Sequence, residues 1–224
     1  MSKHLNLSQN QSQSLKLKIR VTGRSVDEAI EEALKELDVP KERLSYEVLE
    51  EPRKGFLGFG AKKALLEAAA IPDPIEVAHS FLTKTVSEMG IDASIEQKNT
   101  SEGCLLSIQC AEERDAARLI GKRGQTLDSL EYLVELAANR HKVKYQAFQV
   151  DVGDYRSKRY ELLRELAHRV ASKAANQEEG IPLEPMNARD RKIVHQILYK
   201  KKGVTTVSKG KGTNRHVIVK KSND

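Results

Sequence analysis

The chain has 224 residues, 39% hydrophobic and 31% charged, with a formal net charge of +6. That length and balance fit soluble globular protein of two or three small domains, and no run of 18 or more apolar residues is present to span a membrane as a helix. The opening MSKHLNLSQNQSQS lacks the apolar stretch of a signal peptide, so a cytoplasmic location without membrane insertion is expected.

Residues 1–14 are polar and rich in Ser, Gln and Asn, and are expected to be a disordered tail. "LKLKIRVTG" then alternates apolar and basic residues, as a half-buried strand does. Ser25 with Glu28 three residues later forms a capping box, and Ala29, Ile30, Ala33, Leu34 and Leu37 make the apolar stripe of a helix that ends before Pro40. Two strand-like runs, "LSYEVLE" and "ALLEAAAI", flank "EPRKGFLGFGAKK". The result is a small β-α-β-β unit over residues 15–71, followed by a short linker at 72–74 within "IPDP".

Asp73 and Pro74 open the next helix, with Ala78, Phe81, Leu82, Thr85, Val86 and Met89 on one face and Gly90 at its end. "IDASIEQKN" and "CLLSIQC" read as strands around a turn at Ser101–Gly103. Cys104 and Cys110 share one of these runs, where extended geometry holds them roughly 20 Å apart, too far for a disulfide. They read as reduced core thiols. A short helix, "ERDAARLI", leads into Gly121-Lys122-Arg123-Gly124, and Leu127, Leu130, Val134 and Ala137 mark a further helix. "VKYQAFQVDV" is the third strand, giving the order α-β-β-α-α-β over residues 75–152.

A long helix is expected from Gly153 to about Gln177 with Leu163, Ala167, Val170 and Ala174 buried, then a second one capped by Asn187. Strands "VTTVSK" and "RHVIVKK" close the chain around a Lys-Gly-Lys-Gly loop. This last segment is where the charge lies. Residues 1–74 carry 12 Lys/Arg against 12 Asp/Glu, residues 75–152 carry 9 against 12, and residues 153–224 carry 17 against 8. A basic excess confined to one segment points to a polyanionic partner for it.

Two glycines bracketing two cations at the mouth of a helix suit an anion. Free backbone N–H groups and the helix dipole point at such a ligand, and the missing Cβ atoms let a sugar-phosphate backbone come close. A tight helix-to-helix turn is the plainer reading. With its element order, however, the loop resembles the KH domain of the prokaryotic type. That resemblance implies that Gly121, Lys122, Arg123 and Gly124 clamp a single-stranded backbone while Ile120 and the start of the next helix, including Thr126, line the groove for bases. In "YELLRELAHRV", Arg164 and His168 stand one turn apart beside the apolar stripe. Arg-x-x-x-His on the first helix of a small α/β unit resembles the R-3-H domain, a single-stranded nucleic-acid binder. In the same unit Arg189, Lys209, Lys211 and Arg215 are the further candidate contacts.

"KGFLGFG" followed by Ala61-Lys62 is similar to the signature of the Jag N-terminal domain. A Jag N-terminal domain, a KH domain and an R-3-H domain in that order resemble the bacterial KhpB, or Jag (SpoIIIJ-associated), family. The expected fold is therefore α+β: three small α/β domains in tandem at residues 15–71, 75–152 and 153–222, the last with two helices on a small sheet. The resemblance implies a cytoplasmic protein that binds single-stranded RNA, with single-stranded DNA as the alternative. It further implies pairing with KhpA, a small single-KH-domain protein, in post-transcriptional regulation or as an RNA chaperone tied to cell elongation, division and peptidoglycan homeostasis. Domains of this kind pair, so a homodimer through residues 75–152 is also expected. Some relatives carry a long charged segment after the Jag domain, which here shrinks to "IPDP". Phe56 and Phe59 are either core anchors of a glycine-rich turn, the commoner use of such residues, or an exposed knob for a protein partner.

No catalytic constellation is visible. The histidines at 4, 79, 141, 168, 195 and 216 show no metal-ligand spacing, no Gly-x-Ser-x-Gly elbow occurs, and neither glycine loop has the spacing of a nucleotide hydrolase. No metal or other cofactor is expected. With aromatic residues at only 4%, broad stacking platforms are absent. The competing reading is a protein-interaction adaptor near the membrane insertion machinery, with nucleic-acid binding incidental.

Overall fold

The Ser25 hydroxyl accepts from the Glu28 amide at 3.1 Å while the Glu28 carboxylate accepts from the Arg24 amide, so the first helix, α1 (Val26–Leu37), starts on the capping box its sequence announces. In this computed structural model, residues 18–53, 61–141 and 144–222 are described. The expected tail at 1–14 and the signature phenylalanines Phe56 and Phe59 lie outside them. The described residues form two compact units, those within Met1–Phe81 and Glu135–Gln146, and those within Leu82–Val134 and Ala147–Asp224.

In the first unit, strands β1 (Lys18–Gly23), β2 (Leu44–Glu50) and β3 (Ala64–Ala70) make an antiparallel sheet in the order β1-β3-β2. Helix α1 packs on β1 and β3, burying Ala29, Ile30 and Ala33 against Val21, Leu66 and Ala68. Helix α2 (Pro74–Glu88) begins where Asp73 accepts the Ile75 amide at 2.8 Å, and it buries Ala78, Leu82 and Val86.

The second unit holds the other two sheets. Strands β4 (Ala93–Thr100) and β5 (Gly103–Cys110) form an antiparallel hairpin, and β6 (Phe148–Val152) adds parallel to β5. Helix α3 (Glu113–Ile120) packs on β5 and β6 and leads through the 3₁₀ turn Lys122–Gly124 into α4 (Gln125–Ala138). The order α-β-β-α-α-β is as expected. Two details differ. The fourth buried position of α4 is Ala138 rather than Ala137, because the stripe steps four residues from Val134. The third strand starts at Phe148, after the Asn139 side-chain amide bonds both backbone groups of Gln146 at 2.8–2.9 Å, and Val143, its expected start, lies outside the described residues.

Helix α5 (Tyr155–Ala174) is shorter at both ends than the expected 153–177, but buries the expected Leu163, Ala167, Val170 and Ala174. Helix α6 (Ala188–Tyr199) is capped by Asn187, whose side chain accepts the Asp190 amide at 2.7 Å. Both helices cover a third sheet, order β7-β9-β8, of β7 (Ile181–Pro182), β8 (Val204–Lys209) and β9 (His216–Lys221). The two-residue β7 escapes sequence patterning because it ends in proline and is too short to alternate. The architecture is thus three small open sheets with helices, an α+β arrangement in tandem. Among the described residues no helix is long and apolar enough to cross a membrane. Cys104 is buried and Cys110 half-buried; both thiols are free, and burial raises their pKa values.

Candidate nucleic-acid interface

The Gly-Lys-Arg-Gly turn is built by backbone that only glycine accepts at two positions. Gly121 (φ +68) ends α3, its amide donating to Ala117 O at 2.9 Å, and a Cβ there would collide with the Thr126 hydroxyl. Gly124 (φ +81) is buried, and a Cβ on it would sit 3.0 Å from Cε1 of Tyr155. Between them Arg123 itself is left-handed (φ 56). The Gly124 amide turns back to Gly121 O at 3.3 Å and the Gln125 amide to Lys122 O. Among the described residues the amides of Lys122 and Arg123 have no protein acceptor. These two N–H groups and the exposed Lys122 side chain are what the loop offers an anion. Ile120 and Thr126 are half-buried on either side.

Arg123 is placed differently from Lys122. Its guanidinium donates to Pro185 O and to the Glu184 carboxylate, in the segment between β7 and α6. Its own carbonyl accepts from Asn187 Nδ2 at 3.0 Å, so the residue that caps α6 also holds the glycine loop. Beneath the loop lies a denser ionic cluster. Asp128 and Glu131 on α4 share two arginines: Arg156 donates to Asp128 Oδ1 and Glu131 Oε2, both at 2.9 Å, and Arg189 reaches Asp128 at 2.9 Å and Glu131 at 3.1 Å. Arg156 also donates to Val150 O at 2.7 Å, and Glu131 accepts the Val150 amide at 2.9 Å. Burial disfavours the charged form of Arg189, but the charge of Glu131 and the hydrogen bond that Arg189 donates to Asp128 outweigh it and raise its pKa. At the next residue of α6, the buried Asp190 takes two bonds from Arg159, at 2.8 and 3.2 Å. Tyr155, whose phenol burial pushes above its ordinary pKa, completes the packing against Gly124.

Arg189 is therefore engaged with two carboxylates although its side chain stays partly exposed. Arg164 and His168 are both exposed on α5, and Arg164 pairs only with its helix neighbour Glu161, at 2.7 Å. Lys209, Lys211 and Arg215 are exposed around the β8–β9 turn without an ion-pair partner among the described residues. The loop and this hairpin are thus the two expected places where cations remain available.

Sequence reasoning passed over a second Arg-x-x-x-His, Arg191 and His195 on α6. Here the imidazole is half-buried and bonds Thr206 Oγ1 at 2.7 Å and Ser208 Oγ at 2.8 Å, tying α6 to β8, while Arg191 donates to Met186 O at 2.7 Å. Burial, then the charge of Arg191, lowers the His195 pKa. The identical spacing was the available signal.

Family models match in the same order as the sheets: Jag N-terminus over residues 21–69, the KH domain of KhpA/KhpB over 76–150, and the R-3-H domain over 161–221. The RNA-binding protein KhpB of Bacillus subtilis (strain 168) is 39% identical over 204 residues, covering 90% of this chain and 97% of the relative. This chain belongs to the KhpB family. Its namesake in Clostridium symbiosum is 37% identical over 203 residues, 90% of each chain, whereas that of Streptococcus pneumoniae (R6) is 26% identical and aligns over 62% of this chain and 42% of its own. These KhpB relatives are named as RNA-binding proteins, and the matched models over residues 76–150 and 161–221 are a KH domain and an R-3-H domain.

Proposed function

We propose that this chain binds single-stranded RNA, with the glycine loop gripping the backbone and the basic C-terminal unit extending the contact. The observation that carries the reading is the mouth of α4: an exposed Lys122 beside two amides without a protein acceptor, in a segment matched as a KH domain. A phosphate seated there gains two N–H donors and one ammonium, none of which reads a base. Bases then lie along the half-buried Ile120 and Thr126, where shape and hydrogen bonding to base edges select them. Arg164, His168, Lys209, Lys211 and Arg215 supply the second set of contacts. RNA rather than DNA follows the names of the relatives.

In the cell this reading makes the chain a post-transcriptional regulator or RNA chaperone in elongation, division and peptidoglycan homeostasis. It would act in the cytoplasm with a small single-KH protein of the KhpA kind; the matched KH model describes KhpA and KhpB together. A homodimer through residues 75–152 is the competing assembly, and size-exclusion chromatography of the chain alone and mixed with KhpA separates the two.

The direct test is fluorescence anisotropy of a labelled single-stranded RNA with the full chain and with Lys122→Asp. Binding by the parent and a loss of about tenfold in the variant are expected, since a repelling carboxylate replaces a phosphate contact. Equal affinity of a folded Lys122→Asp chain would remove the loop from the mechanism.

A further inference from the structure

One strongly basic feature takes no part in the contacts above. Helix α6 ends at Tyr199, and Lys200, Lys201 and Lys202 follow without interruption before β8 begins at Val204. Tyr199 is 85% exposed, more than any other large hydrophobic side chain among the described residues. Beside it a groove of about 840 Å³ runs between the end of α6 and the start of β8. Its lining includes the three lysines, Thr205 and Ser222, and contains no carboxylate among the described residues.

The ordinary use of a lysine at this position is to complement the carbonyl end of a helix dipole, an effect confined to the last turn. That accounts for one charge. It does not account for three in succession, none of which makes an ion pair within 4 Å among the described residues. Nor does it explain a tyrosine ring left in water, when burying an aromatic body is among the larger gains open to a fold. His195 and Thr206, which also line the groove, are already committed to each other at 2.7 Å, so the exposed hydroxyl there belongs to Thr205. An exposed aromatic face, three ammonium groups without an ion-pair partner among the described residues and a hydroxyl around one concave surface match a nucleotide: a π-face for the base, point charges for the flanking phosphates and a partner for the sugar.

We propose that this groove is a second single-strand binding site, in which Tyr199 stacks on one base and Lys200, Lys201 and Lys202 hold the phosphates on either side. The site reads no sequence, because every base has a π-face and the ammonium groups see only backbone. The register of β8 and β9, Val204 opposite Lys221 and Lys209 opposite His216, places the groove at one end of the hairpin and the Lys209/Lys211 turn at the other. At about 3.3 Å per residue these ends are roughly 17 Å apart. A strand lying along the hairpin touches both. The proposal rests on the RNA-binding reading and adds a place and a partner residue to it.

The test uses the full chain and a fluorescein-labelled oligouridine of about 16 nucleotides, long enough for one module and its neighbour, with affinity read at several salt concentrations. Tyr199→Ala is expected to weaken binding fivefold or more, roughly one stacked base, whereas Tyr199→Phe, which keeps the ring, binds as the parent does. Replacing Lys200, Lys201 and Lys202 together by Ser lowers the slope of log affinity against log salt by about 2, at about 0.7 per lost phosphate contact. Thermal melts monitored by circular dichroism check the fold, and if the lysine variant is unfolded the two tyrosine variants decide. Parent-like affinity in folded Tyr199→Ala, while Lys122→Asp still loses binding, would overturn the groove and leave the RNA-binding reading standing. Failure of the parent to bind the oligomer would overturn both.

Discussion

Removing the Asp128 carboxylate tests whether the ionic cluster under the glycine loop holds α4 to the C-terminal unit. Asp128→Ala costs the Arg156 bond, a charge-assisted contact at 2.9 Å with both side chains under a third exposed, worth about 1.5 kcal/mol. The Arg189 contact, with that side chain 40% exposed, adds about 0.5 kcal/mol. Neither guanidinium is orphaned, because Glu131 still faces both, so the total stays near 2 kcal/mol, below the 3–5 kcal/mol of an abandoned buried charge. Glu131→Ala removes the other contacts of the same two arginines, of similar worth, and also strands the amide of the fully buried Val150, which adds about 1–3 kcal/mol and brings the loss to roughly 4 kcal/mol. Hydrogen–deuterium exchange of the β5 amides, Leu106 and Ile108 among them, reads both. About 2 kcal/mol corresponds to exchange faster by roughly thirtyfold, and Glu131→Ala should be faster again by more than tenfold. Equal rates in the two variants, or an Asp128→Ala chain exchanging like the parent, would refute this account of the cluster.

Glu184→Gln takes the carboxylate from Arg123 and should raise single-stranded RNA affinity two- to fivefold in anisotropy, about the worth of an exposed ion pair, while Arg123→Ala should change affinity less than Lys122→Ala does. Burial lowers the His195 pKa below its ordinary 6.5, so the unfolded chain takes up that proton first as pH falls. The stability from neutral His195 is therefore complete above about pH 6.5 and is lost below it toward the folded value. Urea midpoints measured from pH 7.5 to 5 should fall, and His195→Asn should flatten part of that fall. Gly124→Ala forces a side chain into left-handed backbone 3.0 Å from the Tyr155 ring and should lower stability by about 2 kcal/mol in urea titration; Tyr155→Leu alongside it should restore only the crowding share.

Local chemistry made much of the fold legible. Ser25 and Asn187 mark helix starts because a short oxygen side chain three residues before a free amide has one good use, and the α5 stripe of Leu163, Ala167, Val170 and Ala174 follows from helical period alone. The glycine loop was also legible, since φ values of +68 and +81 leave little choice of residue. What sequence spacing could not decide is which cations remain free. Arg123 finds Glu184 at a separation of 61 residues, and Arg189 finds Asp128 at the same separation. The two Arg-x-x-x-His pairs put the point sharply. Arg164 and His168 each follow a buried residue, Leu163 and Ala167; Arg191 and His195 each follow one too, Asp190 and Val194. Their helical phase is the same. The difference is that β8 lies along α6 and brings Thr206 and Ser208 to His195, whereas His168 is left exposed on α5.

The chemistry of the two cation types sorts the rest. Every ion pair that a cation of residues 153–224 makes among the described residues uses an arginine, Arg156, Arg159, Arg164 or Arg189, and none uses a lysine. A guanidinium offers a rigid fork that can serve two carboxylates and a carbonyl at once, as Arg156 does, and it sheds water more readily than an ammonium. Arginines are thereby drawn into the joints of the fold. Lysines, strongly hydrated and flexible, stay at its surface. The +9 of the C-terminal segment is in effect divided in two, with arginines building the platform, Lys200, Lys202, Lys209 and Lys211 exposed on it and Lys201 half-buried beside them. A basic count in a sequence of this kind is better weighted by its lysines when the question is what remains to meet a phosphate.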